Sequence, residues 1–134
     1  MAYLLIVDDD PDFASSVATV CESLGHEVCT VHTTQNALVQ IVQRRPDGIL
    51  LDVIFPEDPS AGFQLAREIH RRFGSIPILM LTAVNQQFPL GFSDKDINSK
   101  WLPVTDFLEK PVDFAVLREK VTRLCAHKPE VTAG

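Results

Sequence analysis

A chain of 134 residues with 46% apolar side chains can bury one core, and it is too apolar to be disordered. Its formal charge of −6 argues against direct nucleic-acid binding, which needs a basic surface against the phosphates. No stretch approaches membrane-spanning length, and the short N-terminal apolar run lacks the flanks of a signal peptide, so the expected setting is the cytoplasm, with no membrane contact.

Tyr3 to Val7 reads as an apolar strand running straight into Asp8-Asp9-Asp10. Asp10 then serves as the N-cap of a helix with Pro11 in its first turn. Phe13, Val17, Val20, Cys21 and Leu24 share one face of it, and Gly25 stops it. Glu27 to Val31 alternates polar and apolar residues, as an edge strand does. A second helix begins near Thr33-Thr34, buries Ala37, Leu38, Ile41 and Val42, and ends at Arg44-Arg45 before Pro46. Gly48 to Asp52 forms the third strand. After Pro56 and Pro59 comes a helix carrying Phe63, Ala66, Ile69 and Phe73, stopped by Gly74. Ile76 to Leu81 is continuously apolar, hence central, and leads into Thr82. Asn85 to Pro103 shows no clean helical stripe; a loop-rich segment with one short helix around Asp94 to Trp101 is expected. A last strand ends in Phe107-Leu108-Glu109-Lys110-Pro111. A final helix, Asp113 to Ala126, places Phe114, Leu117, Val121 and Leu124 on one face, and a polar tail follows. Strict alternation of strand and helix implies an α/β fold: a doubly wound sheet with helices on both faces. Cys21, Cys29 and Cys125 read as buried free thiols in a reducing compartment, since their wide spacing suits no metal site.

If the strands are parallel, Asp8, Asp9, Asp52, Thr82 and Lys110 meet at one rim, where open α/β sheets bind ligands. Three converging acids repel one another unless a cation lies among them. Magnesium suits such a site, because it takes carboxylate oxygens and keeps waters that a phosphoryl oxygen can replace. Strand-end aspartates are often only caps or turn formers, which is the reading for Asp10; that explanation does not account for three acids together. Asp52 is the candidate nucleophile, since a carboxylate can attack an activated phosphoryl donor to give an acyl phosphate. Lys110 would bring an ammonium to a phosphoryl oxygen and Thr82 a hydroxyl, with small Ala83 leaving room for the donor. Taken singly these two are weak signals, because most such residues are structural or solvated. Pro111 could aim Lys110 inward through a cis bond, or simply end the strand.

Together, Val7-Asp8-Asp9-Asp10, Leu50-Leu51-Asp52-Val53-Ile54-Phe55-Pro56, Leu81-Thr82-Ala83 and Glu109-Lys110-Pro111 resemble the CheY-like receiver domain of two-component response regulators. The resemblance spans about residues 3–126; a receiver domain over 1–126 and a short tail over 127–134 are expected. It implies a flavodoxin-like, five-stranded parallel sheet in the order 2-1-3-4-5 with an irregular fourth-helix region. It further implies Asp52 as phosphoacceptor and a Mg2+ held by Asp9, Asp52 and the backbone carbonyl of Ile54, with Asp8 acting through water. Thr82 and Phe107 match the family's switch pair, although an aromatic on an edge strand is as readily plain packing. The implied function is phosphorelay signal transduction, with a sensor histidine kinase or phosphotransfer protein as donor. No catalysis is expected beyond the domain's own phosphorylation and dephosphorylation. A monomer or a phosphorylation-dependent dimer is implied.

Two stretches depart from the family's pattern: Val53 to Ala61, and the segment from Thr82 to Lys110, both of which run long. The second carries Phe88, Pro89, Phe92 and Trp101, either a docking patch for a downstream protein across 85–107 or a satellite core. Ile54 and Val84, two residues past Asp52 and Thr82, are apolar where the family tunes entry of hydrolytic water, so slow self-dephosphorylation is expected. Three other readings compete. An aspartyl phosphatase would place two acids, two residues apart, at the end of strand one and carry a cap domain. A flavodoxin-like cofactor binder would need a phosphate loop where three acids stand. A degenerate receiver would act as an unphosphorylated scaffold.

Overall fold

The computed structural model describes residues 2–52, 61–83, 106–110 and 112–126. In chain order these form β1 (Tyr3–Val7), α1 (Pro11–Ser23), β2 (Glu27–Val31), α2 (Thr34–Gln43), β3 (Gly48–Asp52), α3 (Ala61–Phe73), β4 (Ile78–Ala83), β5 (Asp106–Lys110) and α4 (Phe114–Ala126). All strand pairs are parallel, in the order β2-β1-β3-β4-β5. The chain steps from β1 outward to β2, then crosses back over β1 to β3. Right-handed crossovers therefore put α1 on one face of the sheet and α2 on the other; the step from β3 to β4 continues in the same direction, so α3 joins α2, and α4 lies with α1.

Alternation within each strand sorts the core into two layers. Leu5, Val7, Ile49, Leu51, Ile78 and Met80 pack under Ala37 and Ile41 of α2 and Phe63, Ala66 and Ile69 of α3. Leu4, Ile6, Leu50, Leu79 and Leu81 pack under Val17 and Cys21 of α1 and Leu117, Val121 and Leu124 of α4. With both faces covered, the inner strands need apolar residues at every position, and β1 and β3 are buried from end to end. β2 pairs on one side only and is half exposed, as its alternation implies.

The helix ends follow local chemistry. Asp10 Oδ1 accepts from the N–H groups of Asp12 (3.0 Å) and Phe13 (3.2 Å), satisfying two orphan donors of α1. Thr33 caps α2 in the same way through Asn36 N–H. Gly25 and Gly74 follow α1 and α3 with φ of +91° and +83°, the left-handed backbone that ends a helix at little cost for glycine.

Several expectations need correction. Val42 is 64% exposed and Phe114 47% exposed. Val42 lies about 100° around the helix from buried Ile41, so α2 buries only a narrow stripe. Phe114 is the first residue of α4, at the polar rim that follows β5 rather than against the apolar layer. β4 begins at Ile78, not Ile76, and runs on to Ala83. Pro77 has no N–H for the ladder and contributes only its carbonyl, which accepts from Ile49 N–H at 2.9 Å. Of the three thiols only Cys21 is buried; Cys29 and Cys125 are half-buried. The expected long loop after Asp52, the short helix near 94–101, Phe88, Phe92, Trp101 and the tail lie outside the described residues.

Candidate functional site

Strand register builds the site. Val7 pairs with Leu51, which sets Asp8 and Asp52 level on neighbouring strands. Asp52 pairs with Leu81, so Thr82 follows one step further out. Thr82 pairs with Glu109 and Ala83 with Lys110, which brings the Lys110 backbone to the same rim. Four strand ends thus converge at the carboxyl edge of the sheet, next to the point where the strand order reverses between β1 and β3. For Thr82, Phe107 and Lys110 the description is of the backbone; Ile54, Val84 and Pro111 lie outside the described residues.

Asp8, Asp9 and Asp52 each offer a carboxylate oxygen, and these oxygens all lie within 4.8 Å of one another. Asp8 is 0% exposed and Asp52 6%, the buried charged side chains among the described residues, whereas Asp9 retains contact with solvent. Charges so placed repel strongly at reduced dielectric. A set of hard oxygen donors, with no sulfur or imidazole among them, fits a small hard cation such as magnesium. It does not fit zinc, which favours sulfur and nitrogen.

Asp8 is held from three directions. Its N–H donates to Val31 O at 3.1 Å, its Oδ1 accepts from Asp10 N–H at 2.9 Å, and its carbonyl lies 2.9 Å from His32 Nδ1. Asp10 therefore serves the site through its backbone while its side chain caps α1. Sequence reasoning passed over His32. The signal was its place one residue past β2, beside the acid run that follows β1.

The sequence profile of the response regulator receiver domain matches residues 4–122. The chain belongs to the response regulator receiver family. This receiver domain is 36% identical over 125 residues to the phosphate regulon transcriptional regulatory protein PhoB of Pseudomonas aeruginosa, covering 92% of this chain and 50% of that protein. It is 29% identical over 128 residues to protein PilH of the same species, covering 94% of this chain and 99% of PilH. The chain thus spans half the length of one relative and nearly all of another. Among solved structures, the receiver domain of NtrX from Brucella abortus superposes with a TM-score of 0.79 at 26% identity, covering 93% and 99% of the two chains. A putative response regulator from Chloroflexus aurantiacus gives 0.78 at 30% identity, covering 94% and 98%.

Membership makes this a domain of phosphorelay signal transduction in two-component systems, a family that works with histidine kinases and phosphotransfer proteins. No helix among the described residues is long and apolar enough to cross a membrane.

Proposed function

We propose that this receiver accepts a phosphoryl group on Asp52 and thereby switches the surface it offers to a partner. The observation that carries the reading is the placement of the Asp52 carboxylate, 6% exposed, within 4.8 Å of the Asp8 and Asp9 oxygens at the end of a central strand. Two buried carboxylates with a third acid beside them repel one another, and a cation together with an incoming group gives that arrangement a use.

In the proposed reaction, an Asp52 oxygen attacks the phosphorus of a phosphohistidine on a sensor kinase or phosphotransfer protein. The P–O bond forms as the P–N bond breaks, and the electron pair returns to the donor imidazole, which takes up a proton. Asp8, Asp9, Asp52 and the Ile54 carbonyl would hold Mg2+. When bound, Mg2+ neutralises charge on the phosphoryl oxygens. Lys110 would bring its ammonium to one of those oxygens, and the Thr82 hydroxyl would donate to another. Phe107 would turn inward as Thr82 moves. The domain comprises 1–126 with 127–134 as tail, catalyses only its own phosphorylation and dephosphorylation, acts in the cytoplasm, and docks its downstream protein on 85–107.

The test is incubation of wild type and Asp52→Asn with Mg2+ and a small phosphodonor, read by intact mass. One phosphoryl group per wild-type chain and none on the variant is the expected result. Label surviving Asp52→Asn, or multiple turnover of phosphate esters by wild type, would overturn the proposal.

A further inference from the structure

We infer that His32 is a positioning residue of this site: its Nδ1–H holds the Asp8 carbonyl and thereby sets where the Asp8 carboxylate points. The inference rests on the proposed function, since it assigns His32 a part in holding the cation that phosphoryl transfer uses.

A carbonyl oxygen only accepts, so the 2.9 Å contact places a hydrogen on His32 Nδ1. Neutral and charged imidazole can both carry it, and the bond therefore needs no particular protonation state. Its location is what gives it weight. The β1–β2 ladder ends at Val7↔Val31. One further backbone bond, Asp8 N–H to Val31 O, fastens the amide side of Asp8. Beyond Val31 the chain leaves the sheet to form the Thr33 cap of α2, so the β1–β2 ladder goes no further. The His32 ring stands in for the missing rung and fastens the carbonyl side.

The peptide units on either side of Asp8 are thus both fastened by the end of β2, while its Oδ1 is fixed by Asp10 N–H at 2.9 Å. Asp8 is 0% exposed while His32 is itself exposed, so water that reached the carbonyl in place of the ring would satisfy it without the fixed direction the imidazole imposes. Loss of the imidazole would let the peptide tilt, and the carboxylate with it. A cation that demands near-ideal octahedral geometry is sensitive to such small displacements. Groups that orient metal ligands from behind commonly change metal affinity ten-fold or more when removed. A bland alternative exists, in which the imidazole merely tidies a strand end. That role would change stability but leave Mg2+ affinity untouched.

The two roles separate by chemistry. The Nδ2 of asparagine is the same number of bonds from Cβ as Nδ1 of histidine, whereas the Nε2 of glutamine is one bond further. The experiment measures Mg2+ dissociation constants by calorimetry on unphosphorylated wild type, His32→Ala, His32→Asn and His32→Gln, with thermal unfolding in EDTA alongside. His32→Ala and His32→Gln should bind Mg2+ about ten-fold more weakly, and His32→Asn should return to within about two-fold of wild type. Phosphorylation by a small donor should slow in His32→Ala at low Mg2+ and recover at saturating Mg2+. Unchanged affinity in His32→Ala, or equal loss in alanine and asparagine variants, overturns the inference and leaves the phosphoacceptor reading standing. Wild type that binds no Mg2+ overturns both.

Discussion

Replacing Asp8 by asparagine should make the metal-free protein more stable, although the residue is completely buried and hydrogen-bonded. Asp8 takes part in two of the three like-charge pairs of the acid cluster. At separations of up to 4.8 Å, each pair costs at least about 0.9 kcal/mol at the dielectric of water and about 3.5 kcal/mol at an effective dielectric of 20. Asp9 is in contact with solvent, so its pair with Asp8 belongs near the lower figure; Asp52 is buried, so its pair belongs near the upper one. Relief therefore totals about 4 kcal/mol before corrections. The carboxamide can still accept from Asp10 N–H, but a neutral acceptor gives back about 1 kcal/mol of that bond. Relaxation of the rim and nearby cations remove about as much again, leaving a net gain of about 2 kcal/mol. For a chain of 134 residues this raises Tm by about 7 °C. In Mg2+ the order should reverse, because a ligand at a hundred times its Kd adds about 2.7 kcal/mol to a protein that binds it, and the variant binds poorly. Calorimetric melts in EDTA and in saturating Mg2+ read both effects. An Asp8→Asn variant that melts at or below wild type in EDTA, or that gains as much from Mg2+, would refute the electrostatic reasoning.

Asp10→Ala should cost about 1 kcal/mol in urea unfolding, through lost capping of Asp12 and Phe13 N–H. It should still take up one phosphoryl group, because the Asp10 contact to Asp8 is made by its backbone; failure to phosphorylate would show a further role for the side chain. Burial, together with nearby Cys125 and Glu22, pushes the Cys21 thiol up to about 12 from 9.0. The folded chain then keeps a proton that the unfolded chain loses above pH 9, so Cys21 lowers stability as pH rises from 9 towards 12. Cys21→Ala should show a shallower alkaline decline in urea midpoints than wild type. In Gly48→Ala the new Cβ would stand 3.0 Å from Leu124 Cδ2 and 3.2 Å from Leu4 Cδ2. Both leucines are buried in the same layer and must each give by a few tenths of an ångström against their neighbours, so about 1 kcal/mol of destabilisation is expected by chemical denaturation.

The layers and the rim were legible in the sequence for the same reason: parity along a strand is strict. Leu4 and Ile6 face the α1/α4 layer, as do Leu50 and Leu81 on the neighbouring strands. Carried two residues on, from Ile6 and from Leu50, that parity brings Asp8 and Asp52 to one side of the sheet, and the Val7↔Leu51 register sets them level. Helix faces were less legible. A 3.6-residue period admits residues such as Val42 and Phe114 to a generous apolar stripe, while the width actually buried depends on how closely the helix seats on the sheet. His32 was illegible for another reason. Its role follows from where β2 stops relative to β1, a property of the pairing and not of either segment alone. The rim accordingly separates into two kinds of residue. Asp8 and Asp52 are placed by periodicity that any close reading of the strands exposes. The groups that fasten them, the Asp10 amide and the His32 imidazole, sit where regular structure ends, and there only the register of neighbouring strands decides which donor meets which acceptor.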